Sequence, residues 1–343
     1  MTAFRLLADD LTGAIDSAAR FVGRFGPIPV AWADTAAAPA LALDSASRDL
    51  SRNEAVARAA ALAPALAGAE LAFKKLDSLL RGHVAAELVA CLEMGRFNAA
   101  VIAPAFPAQG RITRHGRQLA HGSDVGVDLA AALANLGMPV ALRRPGDDLP
   151  PGVSLWDAET DGDLAAIAAM ARGRVLWCGS GGLAGALSSA NPPPISPLAA
   201  PVLALSGSDN PVSAGQLDAC AVRVTLCGPD DPALPGPGAV IDVALPRGID
   251  RAAAAHSIAA SFTALLRRIA RPGTLIVSGG ETLRGICEAL SATGLLVEGE
   301  VAPGIPVSRL TGGRWDGLRV VSKSGAFGDA GLLARLLNGD ITS

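Results

Sequence analysis

Asp9 and Asp10 close an apolar run and open Leu11-Thr12-Gly13-Ala14, an acidic pair at the handover from a first strand to a helix. In open α/β sheets ligands bind beyond the carboxyl ends of the strands, and a short polar turn there faces the ligand and not the core, which makes this a reaction-site candidate. Asp and Thr are also good N-caps, because a side-chain oxygen satisfies a free N–H of the first helical turn, so a purely structural role stays open. A second charged passage, Lys74-Lys75-Leu76-Asp77-Ser78-Leu79-Leu80-Arg81-Gly82-His83, follows a strand. Arg81 suits a carboxylate through its planar fork, and Lys75 is a compact cation for a phosphate or carboxylate oxygen. The alternative is a surface ion-pair group of Lys75, Asp77 and Arg81, worth little energetically. A third segment runs from Pro104 to Gly116 and offers Gln109, Arg111, Thr113 and His115 on a loop constrained by proline and glycine, as recognition of a small polar anion requires. His115 and His121 lack helical metal-ligand spacing, and no metal-ligating residues are assigned.

The second half holds three glycine-rich turns, each after a predicted strand: Ser206-Gly207-Ser208, Ser278-Gly279-Gly280-Glu281-Thr282 and Ser324-Gly325-Ala326-Phe327-Gly328-Asp329. Glycine lets backbone approach a phosphate, and the N–H groups of the following helix then face its oxygens. Ordinary βα turns use glycine too, and neither a Walker A sequence nor a dinucleotide fingerprint is present. Lys323 is a phosphate cation or a solvated lysine at a strand end. In the first half, Gly179-Ser180-Gly181-Gly182-Leu183 either cradles an anion or permits tight packing.

Short apolar runs alternating with alanine-rich stretches predict parallel strands joined by helices. Strands are predicted at 4–8, 28–32, 71–76, 100–103 and 174–178, then at 202–205, 222–226, 240–243, 274–277 and 318–321, with a long helix over 250–269. Ser51-Arg52-Asn53-Glu54 has capping-box spacing and is assigned a structural role alone. Asn191-Pro192-Pro193-Pro194-Ile195-Ser196-Pro197 can neither continue a helix nor enter the middle of a sheet, so it marks the boundary between domains at 1–195 and 202–343. The expected fold class is α/β, with two lobes, each a mostly parallel sheet flanked by helices, and an active site in the cleft between them.

At 343 residues the chain is long enough for two self-sufficient cores. Hydrophobic residues make up 50% and charged residues 18%, which excludes extended disorder. Aromatics at 3%, no tyrosine and a net charge of −3 provide neither stacking platforms nor a basic field, so nucleic acid is not an expected partner. Five cysteines without a Cys-x-x-Cys pair indicate neither a zinc knuckle nor a disulfide framework and fit a reducing cytoplasm. Early charge at Arg5, Asp9 and Asp10 argues against a signal peptide, and no apolar run reaches the roughly 20 residues of a membrane span. A homodimer is compatible with the sequence.

Taken in order, these segments resemble the four-carbon acid sugar kinase family, which has a sugar-binding N-terminal domain and a nucleotide-binding C-terminal domain. The resemblance spans almost the whole chain. It rests on Ala8-Asp9-Asp10-Leu11-Thr12-Gly13-Ala14, Lys75-Leu76-Asp77-Ser78 with Leu80-Arg81-Gly82, and Pro104-Ala105-Phe106-Pro107 with Gly110-Arg111 and Thr113. It continues through Gly179-Ser180, Gly182-Leu183-Ala184, Ser278-Gly279-Gly280-Glu281-Thr282, Pro303-Gly304-Ile305-Pro306 and Lys323-Ser324-Gly325 with Phe327-Gly328-Asp329. The resemblance implies ATP-dependent phosphorylation of a hydroxyl on a small sugar acid such as threonate, erythronate or 3-oxo-tetronate, with Mg²⁺. It implies ATP contacts at Ser208, Gly279, Gly280, Glu281, Thr282 and Gly325, and a sugar acid on the N-terminal motifs. There Lys75, Asp77, Arg81 and Arg111 are the expected binding residues, and Asp10 or Asp9 is expected to orient the attacking hydroxyl. The chain departs from the family pattern at Leu79, where threonine is expected, at Asn210 in place of serine and at Ala326 in place of glycine. The alternative these departures allow is a nucleotide-binding regulatory or interaction protein that keeps the fold and has lost catalysis.

Overall fold

The computed structural model describes residues 2–32, 38–95, 97–170, 173–188, 190 and 194–340. Of the proline-rich boundary predicted at 191–197, residues 191–193 lie outside the described residues. The chain divides into two compact units, Met1–Pro192 and Pro193–Ser343.

In chain order the first unit contains β1 (Phe4–Ala8), α1 (Leu11–Phe25), β2 (Ile28–Ala31), β3 (Ala40–Asp44), α2 (Arg52–Leu62), β4 (Leu71–Lys75), α3 (Val84–Gly95) and β5 (Ala99–Ala103). It continues with β6 (Arg111–Arg114), β7 (Arg117–Ala120), β8 (Ser123–Asp124), α4 (Leu129–Ala134), β9 (Val140–Arg143), β10 (Gly152–Trp156), α5 (Asp161–Ala169), β11 (Val175–Gly179) and α6 (Gly181–Ser188). Its main sheet has the order β2-β3-β1-β4-β11-β5-β10-β9 and is parallel throughout. Chain order reverses at β1, which lies between β3 and β4. In such sheets the crevice at the reversal is where ligands bind.

The sequence explains α1 well. Asp10 caps it, accepting from Gly13 N at 3.0 Å, and Gly26, at φ 73°, ends it. Ala14, Ile15, Ala18 and Phe21 bury one face against the sheet. Phe21 of α1 meets Phe4 of β1 and Phe73 of β4, tilted on the first with centroids 4.6 Å apart and edge-on to the second at 5.8 Å, so aromatic rings join α1 to the sheet. The capping box at Ser51 and Glu54 forms at the start of α2. The segment read as a constrained loop, 104–116, is instead partly strand. Arg111 and Thr113 lie on β6 of a three-stranded antiparallel sheet, β6-β7-β8.

The second unit contains β12 (Val202–Ser206), α7 (Pro211–Asp218), β13 (Arg223–Leu226), β14 (Val240–Val243), α8 (Arg251–Arg268), β15 (Thr274–Ser278), α9 (Gly280–Ala289), β16 (Gly294–Ala302), β17 (Ile305–Thr311), β18 (Arg319–Lys323) and α10 (Leu332–Leu337). Its strand order is β13-β14-β12-β15-β18-β17-β16. The first five strands run parallel, and the β16–β17 hairpin closes the series antiparallel. The helix predicted over 250–269 is α8, capped by the Asp250 side chain accepting from Ala253 N. No helix among the described residues is long and apolar enough to cross a membrane.

Candidate active site

Three adjacent parallel strands of the first unit end in charge. Asp9 and Asp10 follow β1, Arg48 follows β3, and Lys75 and Asp77 lie at and beyond the end of β4. Backbone fixes the β3 loop on the β1 turn, because Ser47 N and Arg48 N both donate to the Asp9 carbonyl, at 2.9 and 3.2 Å. Arg48 then holds both acids. Its Nε and Nη2 donate to Asp9 at 2.8 Å each, Nη1 donates to Asp10 Oδ2 at 2.7 Å, and Nη2 also reaches Asp10 Oδ1 at 2.8 Å. Asp77 Oδ2 lies 3.6 Å from the same Nη2. One guanidinium therefore faces three carboxylates in a largely buried setting.

Two carboxylates on one cation cannot be equivalent, since like charges push their titrations apart. Burial raises Asp9, but the charge and hydrogen bonds of Arg48, with Lys74 and Lys75 behind, bring its carboxyl below the usual range. Burial raises Asp10 most, and together with the neighbouring Asp9 and Asp77 it outweighs the pull of Arg48 and Lys75, so this carboxyl stays above the usual range. Asp10 is also the more exposed of the pair, with 24% of its side chain open against 6% for Asp9. The fold thus separates a fixed anion from an accessible, more basic carboxylate.

Asp77 is clasped by Arg81 through Nε at 3.0 Å and Nη2 at 2.6 Å, and it accepts from Leu79 N at 3.0 Å. Burial raises Asp77, yet the Arg81 bond and the charges of Arg48, Arg81 and Lys75 hold it well below its usual value. The Arg81 side chain remains 60% exposed, so part of its donor set faces solvent. Lys75 is buried, with Nζ donating to the Leu76 carbonyl at 2.9 Å, and it lies directly over Gly13, where a Cβ would come within 3.2 Å of Nζ. Arg111 donates to Ser78 Oγ at 2.8 Å, and Gln118 Nε2 donates to the Ser78 carbonyl at 2.8 Å, so the β6–β7 hairpin meets the β4 loop. Asp9, Asp10, Lys75, Asp77, Arg81 and Arg111 therefore form one neighbourhood. Thr113 is instead buried against Gln118, and His115 sits exposed at the hairpin tip, its N–H bound to Asp157 at 2.8 Å.

Arg48 escaped the sequence reading, although the polar stretch Asp44-Ser45-Ala46-Ser47-Arg48 after the apolar 41–43 repeats the pattern by which Asp9 was found. Beneath the cluster, buried Lys74 bonds Glu87 at 2.7 Å, and Ser47 donates to the same carboxylate at 2.7 Å, which anchors the β3 loop from below. The Gly179–Leu183 turn serves packing. A Cβ at Gly182 would stand 2.6 Å from the Ala105 carbonyl, and Ser180 Oγ donates to that carbonyl at 2.7 Å.

In the second unit the three glycine turns follow adjacent strands in register, Ser206 beside Ser278 and Ser278 beside Lys323. They touch one another. A side chain at Gly207 would collide with Thr282, and one at Gly325 would collide with Ser208. Gly279, at φ 109°, turns the chain into α9 without offering a side-chain cap, so the first amides of α9 are left for another acceptor. Ser208, Gly279, Gly280, Thr282 and Gly325 are thus gathered on three touching turns, beside the uncapped N-terminus of α9. Glu281 is exposed and ion-paired with Arg251. Asn210 caps α7 by accepting from Val212 N at 3.0 Å, and Ala326 is exposed. Lys323 is not a solvated lysine; it is 1% exposed.

A sugar-binding N-terminal domain model matches residues 4–139, and a nucleotide-binding C-terminal domain model matches residues 236–333. Over 96% of this chain and 95% of its own length, a D-threonate kinase of Cupriavidus necator is 32% identical. A D-erythronate kinase of Heliobacterium modesticaldum is 27% identical over 95% of this chain and 94% of its own length. The solved Haemophilus influenzae protein HI1011 shares the fold, with a TM-score of 0.70 at 18% identity over 98% of this chain and all of that one. Acid and arginine side chains gathered in the first unit and an open helix terminus in the second fall within the two matched domains, and the chain belongs to the four-carbon acid sugar kinase family.

Proposed function

We propose that this protein transfers the γ-phosphoryl group of ATP to a hydroxyl of a four-carbon sugar acid of the threonate, erythronate or 3-oxo-tetronate type. The observation that carries the reading is the Arg48 fork, which keeps Asp9 ionised and leaves Asp10 as the more basic, more exposed carboxylate. Arg81, whose side chain stays 60% exposed while it clasps Asp77, and Arg111, which donates to Ser78 beside it, bind the acceptor's carboxylate. Lys75 adds a cation within this group. Asp10 orients the attacking hydroxyl and takes its proton as the new O–P bond forms, with Asp9 as the fixed neighbour. In the second unit, the amides of Gly280, Glu281 and Thr282, with the Gly279 turn, Ser208 and Gly325, bind the nucleotide.

Mg²⁺ supplies neutralisation of phosphate charge when bound. It is read as carried largely by phosphates and water, since such ions need few protein ligands. The five free cysteines agree with a cytoplasmic setting.

The test is ADP release, followed by a coupled assay, across D-threonate, D-erythronate and 3-oxo-tetronate for the wild type, Asp10→Asn and Arg81→Ala. One acid is expected to support turnover, Asp10→Asn to lower kcat and Arg81→Ala to raise KM for the acid. Unchanged turnover in both variants removes the site assignment. ATP binding without turnover on any acid removes the kinase reading.

A further inference from the structure

Among the described residues, Lys323 is a buried ammonium with no carboxylate partner. Its Nζ lies 3.1 Å from Ser278 Oγ and 3.5 Å from both Ser213 Oγ and the Gly325 carbonyl. Its own carbonyl accepts from Gly279 N at 3.0 Å, so both ends of the residue hold the turn that opens α9. Ser213 ties the assembly to the third turn, donating to the Gly325 carbonyl at 2.8 Å and lying 3.2 Å from Ser278 Oγ.

The elements packed around Nζ present neutral groups: Ser213 from α7, Ser278 from β15 and a carbonyl from the Gly325 turn. The acids of the flanking turns are engaged elsewhere, Glu281 with Arg251 and Asp329 with Arg335. A buried cation so placed is costly unless an anion arrives to compensate it. An anion would repay that cost at the adjoining turns, where Gly207 and Gly279 meet Thr282 and Gly325 meets Ser208.

We propose that Lys323 is a positioning residue for nucleotide binding, the buried counter-charge of the polyphosphate, acting through Ser278 and the Gly325 turn beneath the phosphates. The proposal rests on the nucleotide-binding reading of the second unit. Burial pushes the Lys323 ammonium down to about 8. A bound polyanion raises it again, so affinity is full while Lys323 is charged and is lost as pH rises through about 8. The effect must grow with the number of phosphates, since it is a charge interaction.

The experiment is calorimetric titration of the full chain with adenosine, ADP and ATP from about pH 7 to about pH 10, where the phosphates of ATP are largely ionised, for the wild type and Lys323→Met. Wild-type affinity for ATP is expected to fall roughly tenfold across this range while that for adenosine holds. In Lys323→Met, ATP is expected to bind roughly tenfold more weakly near pH 7, with a flat pH profile and adenosine unaffected. The wild-type series stands even where the variant folds poorly. A pH-flat wild-type affinity for ATP overturns the proposal, as does equal weakening of adenosine in the variant, which marks a brace. Wild type that binds no ATP at any pH removes the nucleotide reading and this inference with it, whereas normal but pH-flat ATP binding removes this inference alone.

Discussion

Nη1 of Arg48 stands 2.7 Å from Oδ2 of Asp10 while the other edge of the same guanidinium grips Asp9, so one side chain from the β3 loop sets the charge state of the whole β1 turn. Removing it leaves two carboxylates, one of them 4% exposed, facing each other with the weaker pull of Lys74 and Lys75 in place of a direct ion pair. Breaking a buried ion pair from one side costs about 3–5 kcal/mol. Arg48→Ala is therefore expected to lower stability by about that amount in urea unfolding. Arg48→Lys keeps the charge but cannot span both acids, because an ammonium lacks the fork, and should recover part of the stability and little of the activity. A wild-type unfolding midpoint for Arg48→Ala would show that the acids are compensated some other way.

Asp10 has two roles that a single substitution can separate. Its Oδ1 accepts from Gly13 N at 3.0 Å as the cap of α1, a function that asparagine keeps. Its basicity, raised by burial and by Asp9 and Asp77, is what asparagine loses. Asp10→Asn should leave the melting temperature near the wild-type value while kcat falls by about 10²–10⁴. The sign of the pH dependence follows from the direction of the shift. A base with a raised value is lost by protonation as pH falls, so the acid limb of kcat/KM should lie above the ordinary carboxylate value of 3.8 and disappear in Asp10→Asn. An acid limb unchanged in the variant would assign the base elsewhere.

The contact of Gly325 with Ser208 gives a second-unit test that does not depend on charge. A methyl group at 325 would overlap the Ser208 side chain, and one at 207 would overlap Thr282. Gly325→Ala and Gly207→Ala are each expected to force two turns apart and weaken ATP binding by roughly tenfold or more, at a stability cost of about 1–3 kcal/mol. Gly215→Ala, on α7 where a Cβ meets nothing within 4 Å, is the control and should bind ATP as the wild type does. Isothermal titration with ATP decides; equal binding by all three would mean that these turns do not line the nucleotide site.

How much of this could be read from the chain follows from how locally each feature is encoded. Asp10 and the helix it caps were legible because strand, cap and amphipathic face lie in one stretch, and the same holds for α8 behind Asp250. The strand β3 was missed because Ala40-Leu41-Ala42-Leu43 carries no β-branched residue and reads equally as helix, and Arg48 was lost with it. The β16–β17 hairpin was missed although Pro303 and Gly304 mark its turn, since they were noticed only as a motif. Clustering itself is a property of the parallel register. Nothing near Lys323 in sequence announces Ser278, 45 residues away, yet the two are paired neighbours on β18 and β15.

Lys323 also predicts a stability signature in the nucleotide-free protein. Burial sets its value near 8 in the fold, against an ordinary 10.5. A cation whose value falls on folding is penalised wherever the unfolded chain binds the extra proton, so this contribution is unfavourable below about 8 and relaxes as pH rises toward 10.5. The penalty is on the order of 3 kcal/mol. Buried Cys91, Cys178 and Cys287 act in the opposite sense, because their raised thiol values cost stability as the unfolded thiols ionise at high pH. That term is common to the wild type and Lys323→Met and cancels between them. The difference in melting temperature, wild type minus Lys323→Met, should therefore rise steadily between about pH 8 and about pH 10. A difference that stays constant across that range would mean that Lys323 holds its proton throughout, with its charge compensated inside the fold.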